Sequence, residues 1–160
     1  MIVITDTTPL NYLVLIDRAE VLPQLYDRVL IPSAVREEFQ APETPPAVRA
    51  WVNNPPDWLQ IRPVESGPDP ATEPLGPGER EAIALAEELH ADRLIIDDRA
   101  ARRVATQRKL TVIGTLGVLV EAAERGLIGF PETIARLRQT SFYVSPAVLN
   151  PLLERYTNKP

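Results

Sequence analysis

The chain has 160 residues, 44% apolar and 24% charged, the proportions of a soluble globular protein long enough to bury a core as one domain. It has no cysteine, which excludes disulfides, a thiolate zinc site and a cysteine nucleophile, and no apolar run near the ~20 residues of a membrane span. The formal charge of −5 argues against a surface generally adhesive to nucleic acid, while leaving room for a basic patch beside an acidic pocket.

The start, MIVITDTT, has neither the basic opening nor the long apolar stretch of a signal peptide, so a cytoplasmic protein with no membrane partner is expected. Ile2 to Ile4 reads as a buried strand that stops at Asp6. Helices follow over Leu10 to Ile16, with Thr7 or Thr8 as cap and Pro9 in the first turn, and over Ala19 to Tyr26. Val29 to Ile31 is a second short strand, stopped by Pro32, and Ser33 caps a helix reaching Gln40. Ten of the seventeen prolines lie between Pro42 and Pro77, so helices there are short. Ala47 to Asn53 is one, with Trp51 on its apolar side, and Ser66 to Pro77 reads as an exposed loop. The whole stretch at about 41–77 reads as an inserted, partly mobile segment of a single domain spanning 1–160.

Structure resumes with a helix from Glu79 to Leu89, apolar at Ala82, Ile83, Leu85, Ala86 and Leu89. Leu94 to Ile96 is a strand ending in Asp97-Asp98. Arg99 to Arg108 is helical, and Thr111 to Ile113 is another strand. A helix over Gly117 to Glu124 is closed by Gly126, and two C-terminal helices cover Pro131 to Arg138 and Pro146 to Tyr156. Short apolar strands alternating with helices mean an α/β fold around a mostly parallel sheet.

In such sheets, sites form beyond the carboxyl ends of the strands. Two strands end directly in acid, at Asp6 and at Asp97 and Asp98, and a third feeds through Pro32 into a helix carrying Glu37 and Glu38. At ~100° per residue, Glu38 lies about 60° from the buried Val35 position while Glu37 points nearly opposite, which makes Glu38 the site candidate. On the next helix Glu79 sits about 50° from the centre of the apolar face and Glu81 about 110° from it. Both also fall in the first turn, where acids suit the helix dipole. Asp6, taken alone, reads as a helix or turn cap; the repetition of acid at the same topological position points beyond that.

Four or five converging carboxylates repel one another and so imply cations. Oxygen ligands without cysteine, and with His90 as the one histidine, suit Mg2+ or Mn2+. Such ions activate water and stabilise the charge of phosphodiester cleavage, so the inferred chemistry is metal-dependent phosphoryl hydrolysis, most naturally of nucleic acid. Arg99, Arg102 and Arg103 share one side of their helix and suit a phosphate backbone, or else form a solvated face. There is no GxSxG elbow, GxGxxG or GxxxxGK[ST], and GTLGVL at 114–119 reads as a turn and helix start.

The stretches VITDTTPLNYL (3–13), VLIPSAVREEF (29–39), LGPGEREAIALAEELHADRLIIDDRAARRVA (75–105) and TVIGTLGVLVEA (111–122) together resemble the PIN domains, in particular the VapC-like bacterial and archaeal toxins. The resemblance implies a three-layer α/β/α fold with a central, mostly parallel sheet and acids holding magnesium or manganese. It implies endoribonuclease cleavage of RNA, often as the toxin of a type II toxin–antitoxin pair with a small antitoxin protein as partner, and commonly as a homodimer. Its acids map to Asp6, to Glu38, to GEREAIALA and to the IIDD pair, with Asp98 the closer match; Asp97 binds metal or caps. Many members open the third helix with aspartate in a DAxIAA pattern. Here that alignment favours Glu81 whereas the helical wheel favours Glu79, and both are kept. Thr7 joins the three arginines as a substrate contact. The proline-rich segment at 41–77 matches nothing specific in the family.

Three other readings compete. DTT at 6–8 and DD at 97–98 echo the haloacid-dehalogenase-like phosphatases, but Ile4 stands where their DxDxT motif needs its first aspartate. A receiver domain would want its acidic pair near the first strand. A PIN fold that has lost activity and serves in assembly is the third alternative.

Overall fold

The computed structural model describes residues 1–157, which fall into two compact units, Met1–Thr115 and a second from Leu116 onward. The first unit holds the strands β1 (Ile2–Thr5), β2 (Arg28–Pro32), β3 (Leu59–Arg62), β4 (Arg93–Ile95) and β5 (Val112–Ile113). Its helices are α1 (Thr7–Leu15), α2 (Val21–Leu25), α3 (Ser33–Glu38), α4 (Pro46–Asn53), α5 (Pro77–Glu88) and α6 (Arg99–Gln107). Then come α7 (Thr115–Glu124), α8 (Phe130–Leu137) and α9 (Pro146–Thr157), and none of the described helices is long and apolar enough to cross a membrane.

The strands form one sheet in the order β3-β2-β1-β4-β5, and every pairing is parallel. The architecture is the expected α/β/α arrangement, a central sheet flanked by helices. Right-handed crossovers send α1 and α2, between β1 and β2, to one face, and α5 and α6 to the other. Ile4 pairs with Leu30 on one side and Leu94 on the other. These three make one buried cluster with Ile83 and Leu85 of α5 and the small residues Ala101 and Ala105 of α6. Val3, Val29 and Ile95, next along the strands, are equally buried on the opposite face. Burial on both faces explains why the strands read as continuous apolar runs rather than alternating ones.

Four local features depart from the sequence reading, each for a tertiary reason. First, β3 was hidden in the proline-rich stretch. Only Leu59 of its four residues is buried, so it carries no apolar run, and its register with Val29 to Pro32 defines it instead. Second, α1 begins at Thr7, so Thr7 and Thr8 sit inside its first turn and Asp6 takes the N-cap position. Third, Pro32 ends β2 and Ser33 is already helical; the free amide of Ala34 is satisfied by Glu81 Oε1 at 2.9 Å, from α5. Fourth, the Ser66–Pro77 loop is anchored. It contains a 3₁₀ turn at Pro70–Thr72 capped by Asp69, and Arg108 holds Asp69 at 3.1 Å and Glu87 at 2.9 Å.

In the second unit, Gly126 adopts φ +73°, the left-handed conformation that ends α7 where the sequence placed the stop. Phe130 and Tyr156 stack with centroids 4.8 Å apart, and Glu124 accepts from Tyr156 at 2.7 Å and pairs with Arg155.

Because Glu81 supplies the cap that Ser33 does not, Glu81→Ala should lower the free energy of unfolding by about 1 kcal/mol in urea titration. An unchanged midpoint would show that the α3 amide finds another partner.

Candidate active site

The chain steps outward from β1 to β2 and β3, then returns to lay β4 on the other side of β1. The crevice beyond the carboxyl ends at such a reversal is where open parallel sheets bind ligands. Asp6 follows β1 and the Asp97-Asp98 pair follows β4, so the switch point delivers acid from both of its strands.

Asp6 is 4% exposed. Its backbone N–H donates to Ile95 O at 2.9 Å, carrying the ladder one residue past β1. Its side chain occupies the N-cap position of α1 without making a capping hydrogen bond, and Oδ1 is buried with no hydrogen-bond partner. Burial pushes the carboxyl up from 3.8 to about 7. The Thr7 amide lies near enough to relieve part of this, while the charges of Glu79, Glu38 and Asp97 add to it.

Glu38 is the last residue of α3 and half-buried, as its helical position requires; Glu37 is exposed beside Arg36. The Glu38 carboxylate accepts from Thr7 Oγ1 at 3.1 Å and from the Gly78 amide at the start of α5. Burial nonetheless raises its carboxyl above the ordinary value, the two donors opposing. This contact depends on a missing side chain. A Cβ on Gly78 would lie 2.7 Å from Glu38 Cδ and closer still to both oxygens. Glycine near the start of a helix is unfavourable for conformational entropy, so its presence at position 78 was the sequence signal for a close approach.

Glu79 reaches back to accept from the Gly76 amide at 3.1 Å. Its carboxyl is also raised, by burial first, with that amide opposing and the charges of Asp98 and Glu38 adding; the Asp98 carboxyl is within hydrogen-bonding reach. Asp6, Glu38, Glu79 and Thr7 line one open cavity of about 460 Å³.

The other predicted residues lie outside that cavity. Glu81 turns to Ala34. Asp97 accepts from the backbone and hydroxyl of Thr115 at 2.8 and 2.6 Å, which is the capping alternative, although its charge still reaches Asp6. Asp98 caps α6 through Ala101 N at 2.9 Å. Arg99 and Arg103 are exposed and Arg102 is half-buried beside Gly114.

The donor set fits a hard divalent cation: carboxylate oxygens, no sulfur, and one buried oxygen with its hydrogen-bonding capacity unused. Among the described residues no three acidic or histidine side chains already converge as ion ligands. Glu38, Glu79, Asp97 and Asp98 instead engage the amides and hydroxyls just described.

A family model described as PIN domain matches residues 2–158. No curated protein matches the chain. PIN domains are generally nucleases that act on nucleic acid with divalent metal ions, and some are inactive.

An acid whose folded value stands above its unfolded one holds its proton more tightly when folded, so the contribution of Asp6 to stability is greatest below about pH 4 and falls as pH rises toward 7. In the metal-free protein Asp6→Asn should therefore gain in Tm over the parent, with a margin that widens from pH 4 to pH 7. Thermal unfolding in EDTA across that range measures it; a margin independent of pH would contradict the burial of a titrating Asp6.

Proposed function

The chain belongs to the PIN-domain family, and we propose that it is a divalent-metal-dependent endoribonuclease cleaving RNA at the cluster of Asp6, Glu38 and Glu79. The observation that carries this reading is the partnerless, buried Oδ1 of Asp6, set at the topological switch point beside two further carboxylates. These three residues would hold Mg2+ or Mn2+, as one ion or two, with Asp98 beside Glu79 as the fourth acid. The ion, when bound, supplies a water nucleophile and offsets charge on the scissile phosphodiester.

The chain's own residues do the rest. The Thr7 hydroxyl and Gly78 amide orient Glu38, and Thr7 borders the cavity where it can also meet substrate. Asp97, fixed by Thr115, adds negative potential at Asp6 and stands in this reading as a supporting acid. Glu81 is engaged with α3, which favours Glu79 as the third acid. Arg99, Arg102 and Arg103 on α6 carry the phosphate backbone past the β4 side.

Residues 1–160 are read as one PIN-like domain, supported by a family match that spans both compact units. A cytoplasmic toxin, working as a homodimer and silenced by a small antitoxin protein, is the finer role that the resemblance of the four stretches supports. Growth arrest on expression, relieved by the product of an adjacent short reading frame, tests it.

Purified protein should cleave single-stranded RNA with Mg2+ or Mn2+, and Asp6→Asn should lower kcat/KM by roughly 100-fold or more. Full activity in that variant would sink the assignment. Gly78→Ala should cost about tenfold in cleavage with an unchanged urea midpoint, because its methyl displaces the end of the Glu38 side chain rather than backbone. A covalent aspartyl-phosphate formed from phosphomonoesters would select the dehalogenase-like alternative, and RNA binding without cleavage an inactive PIN module.

A further inference from the structure

We propose that the cavity beside the acids is a base-reading pocket in which Tyr12 stacks a nucleobase while Asn11 and Glu43 read its edge, with guanine preferred. The inference rests on the ribonuclease reading for its substrate and extends it to sequence preference. Four observations carry it.

The cavity does not end at the carboxylates. Asn11 and Tyr12 of α1 line it too, as do Glu43 and Thr44 in the segment that follows α3. Thr8, Asn11 and Tyr12 are spaced three and four apart, so they present one polar and aromatic face of α1. At about 460 Å³ the space is within the range of nucleotide-sized sites.

The second observation is charge. None of the lining residues is lysine, arginine or histidine, and four of them are acidic. A phosphate lodged in this cavity away from a bound ion would meet repulsion with no cationic side chain to offset it. The arginines suited to phosphate stand on α6, outside the cavity. The part of an RNA that enters beyond the acids is therefore an uncharged one, its base.

The third is the type of each wall group. Single-stranded RNA is read by stacking splayed bases on aromatic rings and bonding their Watson–Crick edges. Tyr12, half-buried, offers a ring; Asn11 offers one donor face and one acceptor.

The fourth is Glu43, exposed at the rim, whose carboxylate only accepts. Guanine alone presents two adjacent N–H groups, N1–H and the N2 amino group, which two carboxylate oxygens can take together. Uracil presents one N–H between two carbonyls, which the carboxylate repels. Adenine and cytosine present a single amino group each.

The test uses four fluorescein-labelled five-nucleotide RNAs that differ only in the central base, with binding read by anisotropy in Mg2+ on the Asp6→Asn chain and cleavage read on the chain with Asp6. The guanine oligonucleotide should bind about tenfold tighter than the uracil one. Adding Glu43→Gln should bring that ratio to within about twofold, weakening guanine binding and relieving the repulsion of uracil, and Tyr12→Ala should weaken all four by about fivefold or more. Equal affinities across the four bases, a guanine preference untouched by Glu43→Gln, or no binding at all would overturn the pocket. Base-dependent binding with no cleavage would overturn the ribonuclease reading and leave the pocket standing. Cleavage without base dependence would do the reverse.

Discussion

All five strands run in the same direction, so each of them ends on one edge of the sheet, and the helices that follow β1, β2, β4 and β5 begin there. The first turn of every helix carries amides with no partner inside the helix, and the positive end of its dipole. A parallel sheet thus gathers several demands for negative charge into one small area. The acids of this chain answer them: Glu81 at α3, Glu38 and Glu79 at α5, Asp98 at α6, and Asp97 at the Thr115 that opens α7. The edge that builds helix starts and the edge that collects carboxylates are the same edge for the same physical reason.

Capping and metal binding are therefore not rival explanations of these residues. An acid that turns from a helix amide toward a cation gives up a contact worth ~1 kcal/mol, and one that stays keeps the helix start in order. Asp6 differs from the others. It holds the N-cap position without using it, and its buried oxygen gains from any cation that arrives. Around it the protein has arranged close contact by subtraction, since the Gly78 position admits the Glu38 carboxylate only because no side chain is there.

Much of this could be read from the residues. Short runs of Ile, Val and Leu placed four of the five; in β1, β2 and β4 burial on both faces leaves the run unbroken, whereas the two residues of β5 are half-buried. The choice of Glu38 over Glu37 followed from helical angle alone, since one turn of α3 is enough to separate a core-facing from a solvent-facing side chain. What stayed hidden depended on contacts across the chain. The Ser33 cap failed because an acid 47 residues away from Ala34 supplies the bond. Strand β3 has one buried residue, so nothing in its own pattern announces it; only the presence of β2 alongside makes it a strand. For Glu79 and Glu81 the helical wheel favours one and the family pattern the other, and only three-dimensional placement shows Glu79 lining the cavity and Glu81 stapling α3.

The prolines of the middle segment take on a further meaning once β3 is seen at the border of the sheet. An outer strand exposes a row of unpaired backbone groups on which another chain can build. Here that row is only four residues long, with Pro55 and Pro56 ahead of it and Pro63 immediately after, residues that have no N–H to offer. Ile61, one of the large apolar side chains left exposed, lies on this strand. At the opposite border β5 has just two residues. The molecule thus ends its sheet on both sides with lengths too short to template a foreign strand. The proline-rich stretch, which looks like slack in the sequence, works as a guard against self-association through the backbone.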